Sequence, residues 1–94
     1  VLVLGLGAMG LLFAQLLPSY TRATCEGAGR RSERVAMARR WGLSPVHDLT
    51  SVPLAEQLSP EDQYDVVIEC TGQLAGWEEA YRRVAPGGQV LMFG

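Results

Sequence analysis

Scarcity narrows the possibilities first. In 94 residues there are two cysteines and one histidine. Cys25 and Cys70 lie far apart, and there is no Cys-x-x-Cys pair and no Cys/His ligand spacing. A structural zinc site takes several such ligands close together, so none is expected here. Both cysteines are expected to sit reduced in strands, as small hydrophobes. Leu11 to Leu17 is far shorter than the roughly 20 residues of a bilayer span. No basic leader precedes it, so it reads as neither anchor nor signal peptide. A formal charge of −2 gives no general pull toward nucleic acid or an anionic membrane, so any electropositive site must be local. There is no internal repeat and no low-complexity segment.

What is present suffices for a core. Hydrophobic residues make up 48% and charged residues 19%, which fits one compact domain and not a disordered chain. Val1-Leu2-Val3-Leu4 is a continuous apolar run, as in a strand buried on both faces. Leu11 to Leu17 is helical in composition; Pro18 is expected to end it, with Pro18-Ser19-Tyr20 as a turn. Thr21 to Gly27 reads as a weak second strand with Ala23 and Cys25 on one face. Ser32 reads as the N-cap of an amphipathic helix from Glu33 to Trp41, stopped by Gly42. Pro45-Val46-His47 predicts a short strand, Leu54 to Leu58 a short helix, and Ser59 to Asp62 a loop. Val66-Val67-Ile68 is the core of a strong strand ending in Glu69-Cys70-Thr71-Gly72. Trp77 to Val84 is helical, Pro86-Gly87-Gly88 a turn, and Val90 to Phe93 the last strand. Strands alternating with helices predict an α/β fold, a doubly wound parallel sheet with helices on both faces. The chain starts and stops in strand-like runs, so it reads as a segment of a longer protein.

Gly5-Leu6-Gly7-Ala8-Met9-Gly10 joins the first strand to the first helix. Glycine at these spacings is a weak signal alone and a meaningful one inside a βαβ unit. Gly5 permits the tight turn, Gly7 lets the backbone approach a pyrophosphate, and Gly10 lets the helix pack close to the strand. The unpaired N–H groups near Ala8 and Met9 then face the phosphates.

The second strand should reveal which dinucleotide fits. An NAD site wants an Asp or Glu about 20 residues after the motif, to accept both ribose hydroxyls. Two registers compete. Glu26 could be that acid, which favours NAD. Alternatively Gly29 holds the position, followed by Arg30 and Arg31, which favours NADP: no carboxylate repels a 2′-phosphate, and arginine offers a planar, permanently charged fork. The helix start at Ser32 favours the second register, because a strand ending at Glu26 would need a loop of about five residues, long for such units. Glu26 would then lie inside the strand, in need of a partner.

Four stretches in order resemble the coenzyme-binding domain of the medium-chain dehydrogenase/reductase superfamily, the alcohol and polyol dehydrogenase group. They are "VLVLGLGAMGLLFAQLL", "SERVAMARRWG", "YDVVIECTG" and "RVAPGGQVLMFG". The resemblance implies a Rossmann fold whose sixth strand lies outside the segment. It implies that Gly5, Gly7, Ala8, Met9 and Gly10 cradle a pyrophosphate. Gly29 and Arg31 match the Gly-x-Arg of NADP-using members, with Arg30 assisting and Arg34 beside the adenosine ribose. Cys70, Thr71 and Gly72 would line the adenosine side, and Phe93 and Gly94 would approach the nicotinamide. Glu26 and the polar "PSYTRAT" lead-in depart from the family pattern.

The function implied is hydride transfer between NADP(H) and an alcohol or carbonyl substrate, with NAD the less favoured cofactor. The family's GroES-like catalytic domain, and any zinc, would lie elsewhere in a cytoplasmic, homo-oligomeric parent without nucleic-acid or membrane partners. No residue of this segment is expected to be catalytic. His47 is expected at the surface, and Glu69 is expected to cap or pair locally. The tyrosines show no Tyr-x-x-x-Lys spacing, which argues against the short-chain dehydrogenases. A non-enzymatic nucleotide-sensing domain or a methyltransferase would more often carry an acid where Gly-Arg-Arg stands.

Overall fold

A computed structural model describes residues 1–93. Five strands alternate with four helices: β1 (Leu2–Leu4), α1 (Ala8–Tyr20), β2 (Glu26–Gly29), α2 (Ser32–Arg40), β3 (Val46–Asp48), α3 (Leu54–Gln57), β4 (Tyr64–Glu69), α4 (Leu74–Arg83) and β5 (Val84–Met92). All pairings are parallel, in the order β3-β2-β1-β4-β5. The expected doubly wound sheet is therefore present.

The continuous apolar run of β1 puts it at the centre. Val3 packs on one face with Ala14 of α1, Val35 and Ala38 of α2, Val46 and Ile68. Leu2 and Leu4 pack on the other with Ala28, Val67, Leu54 of α3 and Ala80 of α4. Each fully buried Leu or Val contributes about 1.5–3 kcal/mol relative to exposure. Chain order reverses between β1 and β4, and in such sheets ligands bind at the carboxyl ends of the strands beside that reversal.

Several boundaries differ from the sequence expectation, each for a local reason. Helix α1 begins at Ala8 and runs through Pro18 to Tyr20. Proline in a last turn forfeits one N–H, and the Thr21 N–H still closes on the Leu17 carbonyl at 3.1 Å. Strand β2 begins at Glu26, not Thr21, because Arg22, Ala23 and Thr24 stay exposed to solvent. It ends at Gly29. Cys25 and Cys70 are both free, but each lies one residue outside a strand. The N-cap of α2 is Arg31, not Ser32, whose hydroxyl donates to Asp48 instead of accepting from the helix. Helix α2 does stop at Gly42, which takes φ +114°, and the buried Leu43 returns its N–H to the Ala38 carbonyl at 3.1 Å.

Helix α4 starts at Leu74, three residues before Trp77. The expected Pro86-Gly87-Gly88 turn is a bulge within β5: Tyr64 pairs with Val84, then Val66 pairs with Gln89. Arg83 is only 4% exposed yet fully engaged. It meets Glu79 at 2.6 Å and donates to the Ser59 carbonyl at 2.7 Å, fastening α4 to the loop before β4.

Candidate functional site

A cleft of about 750 Å³ opens at the carboxyl ends of β1, β2 and β4, at the reversal of strand order. One wall is the glycine loop, Gly5 to Gly7. Gly29, Arg30 and Arg31 continue from β2, and Arg34 reaches in from α2. The β3–α3 loop contributes Leu49, Thr50, Ser51 and Pro53. The far wall is Cys70, Thr71 and Gln73, with Ala75 and Gly76 of α4.

The three motif glycines are glycine for different reasons. Gly5 takes φ +91°, and a Cβ there would stand 3.0 Å from the Cys70 carbonyl carbon. A Cβ on Gly10 would lie 1.8 Å from the Gly5 carbonyl oxygen, so α1 could not pack where it does. Gly7 is different. Its φ of −77° suits any residue, and the nearest atom to a Cβ would be the Arg34 guanidinium at 3.7 Å. The fold does not require glycine at position 7. Its missing side chain leaves open a cradle beside the first turn of α1, where unpaired N–H groups favour an anion.

Strand β2 carries the next distinction. Glu26 stands at its amino end, away from the cleft. Its Oε1 accepts a hydrogen bond from the Tyr64 hydroxyl at 2.7 Å and lies 3.3 Å from His47 Nε2. These are the partners that a strand-borne glutamate needs. Burial, then the Glu26 carboxylate, holds the Tyr64 phenol well above its ordinary value. His47 is therefore half-buried, not at the surface as expected. At the carboxyl end, Gly29 lines the cleft with Arg30 and Arg31 directly after it. Gly29 is packed closely on one side, since a Cβ there would meet Leu6 Cγ at 2.9 Å. The Arg34 Nη1 lies 3.4 Å from the Leu6 carbonyl, across the mouth of the glycine loop.

On the far wall, Glu69 is fully buried. Its Oε1 accepts the Thr71 N–H at 2.6 Å and also the Thr71 hydroxyl, the local pairing expected of it, while Oε2 has no protein partner. This nest depends on Gly76, where a Cβ would stand 2.7 Å from Glu69 Oε1. Burial, and then the Glu69 charge, push the Cys70 thiol up to about 11, so it lines the cleft as a neutral group at pH 7.

The structure thus gathers Gly5, Gly7, Gly29, Arg30, Arg31, Arg34, Cys70 and Thr71 around one cleft. Ala8 and Met9 begin α1 with exposed side chains, Gly10 is buried beneath it, and Gly72 turns at φ +69° beside Thr71. Phe93 is not on the cleft lining; its ring packs on Phe13 with centroids 5.1 Å apart. Gly94 lies outside the described residues. Sequence reasoning missed Leu49, Thr50, Ser51, Pro53, Gln73, Ala75 and Gly76. Their only signal was their place just after the third and fourth strands, where loops gather around a ligand site.

No protein-family model matches the chain. A Mycobacterium tuberculosis protein named as a zinc-binding alcohol dehydrogenase is 32% identical over 97 residues, covering all of this chain and 24% of the relative. The fold superposes on a protein of Sinorhizobium meliloti 1021 named as a zinc-binding dehydrogenase and crystallised with NADP. There the TM-score is 0.88 and identity 26%, over 99% of this chain and 29% of that one. An Escherichia coli CFT073 protein named as a short chain alcohol dehydrogenase and crystallised with NADH shares the fold at TM-score 0.87 and 24% identity, over 99% of this chain and 28% of that one. The chain thus spans about a quarter of the length of its curated relative. In sequence and in fold it resembles the coenzyme-binding domain of the medium-chain dehydrogenase/reductase superfamily, in its zinc-binding alcohol dehydrogenase branch.

Proposed function

We propose that this chain is the NADP(H)-binding domain of an alcohol- or carbonyl-converting oxidoreductase, with substrate and metal groups supplied by the remainder of a longer parent. The observation that carries the reading is the division of β2: its acid is engaged by Tyr64 and His47 at one end, while Gly29-Arg30-Arg31 opens on the cleft at the other. The cradle at Gly7 fits a pyrophosphate, because it is free of a side chain for no reason internal to the fold.

In this reading the amino end of α1 and Gly5 to Gly10 hold the pyrophosphate. Arg31, helped by Arg30, engages the 2′-phosphate, and Arg34 flanks the adenosine ribose. Cys70, Thr71 and Gly72 line the adenosine side. When bound, the nicotinamide would supply hydride exchange with the substrate. The residues of this chain bind and orient; none of them transfers a proton. The relatives' names, and the NADP in one neighbour, support this reading; the NADH in another makes the cofactor preference the point to measure.

The test is titration of the chain with NADPH and NADH. NADPH should bind more tightly. A charge-assisted hydrogen bond contributes about 1.5–3 kcal/mol, and each 1.4 kcal/mol is tenfold. Arg31→Ala should therefore weaken NADPH by roughly ten- to a hundredfold and leave NADH nearly unchanged. A wild type that prefers NADH would end the NADP reading.

A further inference from the structure

The residues around Arg31 are all held by one short element. Leu49, just after β3, donates its N–H to the Gly29 carbonyl at 2.7 Å. Thr50 donates its hydroxyl to the Arg30 carbonyl at 2.8 Å. Ser32 donates its hydroxyl to Asp48 Oδ2 at 3.0 Å. Asp48 Oδ1 in turn accepts the Thr50 N–H at 2.9 Å, and it shares the single Thr50 hydroxyl proton with the Arg30 carbonyl. One carboxylate therefore fixes the segment on both sides of Arg31: Ser32 directly, and Arg30 through Thr50. The Arg31 side chain itself is left out of this network and free toward the cleft.

We infer that Asp48 is a positioning residue for cofactor selection: it sets the direction of Arg31 through Thr50 and Ser32 and so fixes the preference for a 2′-phosphorylated dinucleotide. The inference rests on the NADP reading above. Asp48 does not itself line the cleft; its carboxylate oxygens are turned onto Ser32 and Thr50. Its hydrogen bonds from Thr50 hold the carboxyl below the usual range, which keeps it an ionised acceptor. The arrangement also explains why Arg31, and not Ser32, caps α2: the serine hydroxyl is engaged by Asp48. An arginine fork discriminates only if its plane meets the phosphate in a defined direction, and its direction is set by the backbone that carries it.

The test measures affinities of the full chain for NADPH and NADH and compares their ratio. Asp48→Ala should lower the NADPH-to-NADH preference by about fivefold or more, short of the tenfold that 1.4 kcal/mol represents, with NADH binding almost unchanged. Asp48→Asn retains an oxygen for Thr50 and can donate to the Ser32 hydroxyl, so it should restore most of the preference. In an Arg31→Ala background, Asp48→Ala should change the ratio no further. Equal weakening of both cofactors, or a full effect of Asp48→Ala without Arg31, would overturn the inference and leave Asp48 a structural residue. If Arg31→Ala collapses the ratio and Asp48→Ala does not, only the positioning role falls. If Arg31→Ala itself leaves the ratio unchanged, the NADP reading falls and takes the positioning role with it.

Discussion

The two ends of β2 carry opposite charges and treat them in opposite ways. At the amino end, Glu26 is half-buried and satisfied by Tyr64 and His47. At the carboxyl end, Arg30 and Arg31 are exposed, and among the described residues no carboxylate pairs with either. A partly buried charge needs a partner to be tolerated at all, so pairing marks a structural role. Two neighbouring cations left unpaired at a strand end raise the local potential instead, and they suit an anion that comes from outside. Three residues of one strand, Gly27 to Gly29, thus separate an acid used for folding from a pair of bases left for a ligand.

The glycine loop offers the same contrast and the largest predicted effect. Gly10→Ala puts a methyl group 1.8 Å from a backbone oxygen. Overpacking ordinarily costs about 1–3 kcal/mol, and a clash with backbone cannot be relieved by a rotamer. Gly10→Ala should therefore lose cooperative thermal unfolding altogether. A well-folded Gly10→Ala with native Tm would show that α1 sits further from β1.

Gly7→Val should divide fold from binding. The position has ordinary backbone angles and open space, so Tm should move little. The side chain would fill the cradle, and NADPH affinity should fall by about a hundredfold or more, some 2.7 kcal/mol. Unchanged affinity in this folded variant would make the loop purely structural.

The legibility of these features in the sequence differs by kind. The element order follows from apolar periodicity and from the β-turn-helix context of the glycines, because both are local. Pro18 and the β5 bulge were misjudged because proline and glycine mark a disruption without saying whether an element ends or absorbs it. The Asp48–Thr50–Ser32 network and the Glu26–Tyr64–His47 cluster join residues distant in sequence, and no spacing announces them. Glu26 left two registers open in the sequence for that reason: its partner Tyr64 lies 38 positions away.

Gly29→Asp carries a smaller effect that sharpens the comparison between the strand's ends. It should shift preference toward NADH by repelling a 2′-phosphate and by offering an acceptor to a free ribose hydroxyl. The packing adds a cost, since the new Cβ meets Leu6. A loss of about 1–3 kcal/mol in stability is expected, with partial recovery in Gly29→Asp combined with Leu6→Ala. Denaturant unfolding of the two variants separates the packing cost from the cofactor switch. A Gly29→Asp chain that still prefers NADPH would place the 2′-phosphate away from β2.

The smallest effect belongs to the amino end, and it should fade at alkaline pH. Burial and Glu26 hold the Tyr64 phenol above its ordinary value of 10.0 in the folded chain. The folded state then keeps a proton that the unfolded state has released, so stability falls as pH rises above about 10. The Cys70 thiol, raised from 9.0 to about 11, adds a loss of the same sign that begins earlier. The difference between wild type and Tyr64→Phe isolates the phenol. At pH 7 the variant should lose about 1 kcal/mol for one hydrogen bond. Above pH 10 that gap should narrow as the wild type sheds the same contribution, and the NADPH-to-NADH ratio should be the same in both proteins throughout. A gap that widens with pH would mean that Glu26 does not hold the phenol in its neutral form. A ratio that moves with Tyr64→Phe would mean that the two ends of β2 are coupled after all.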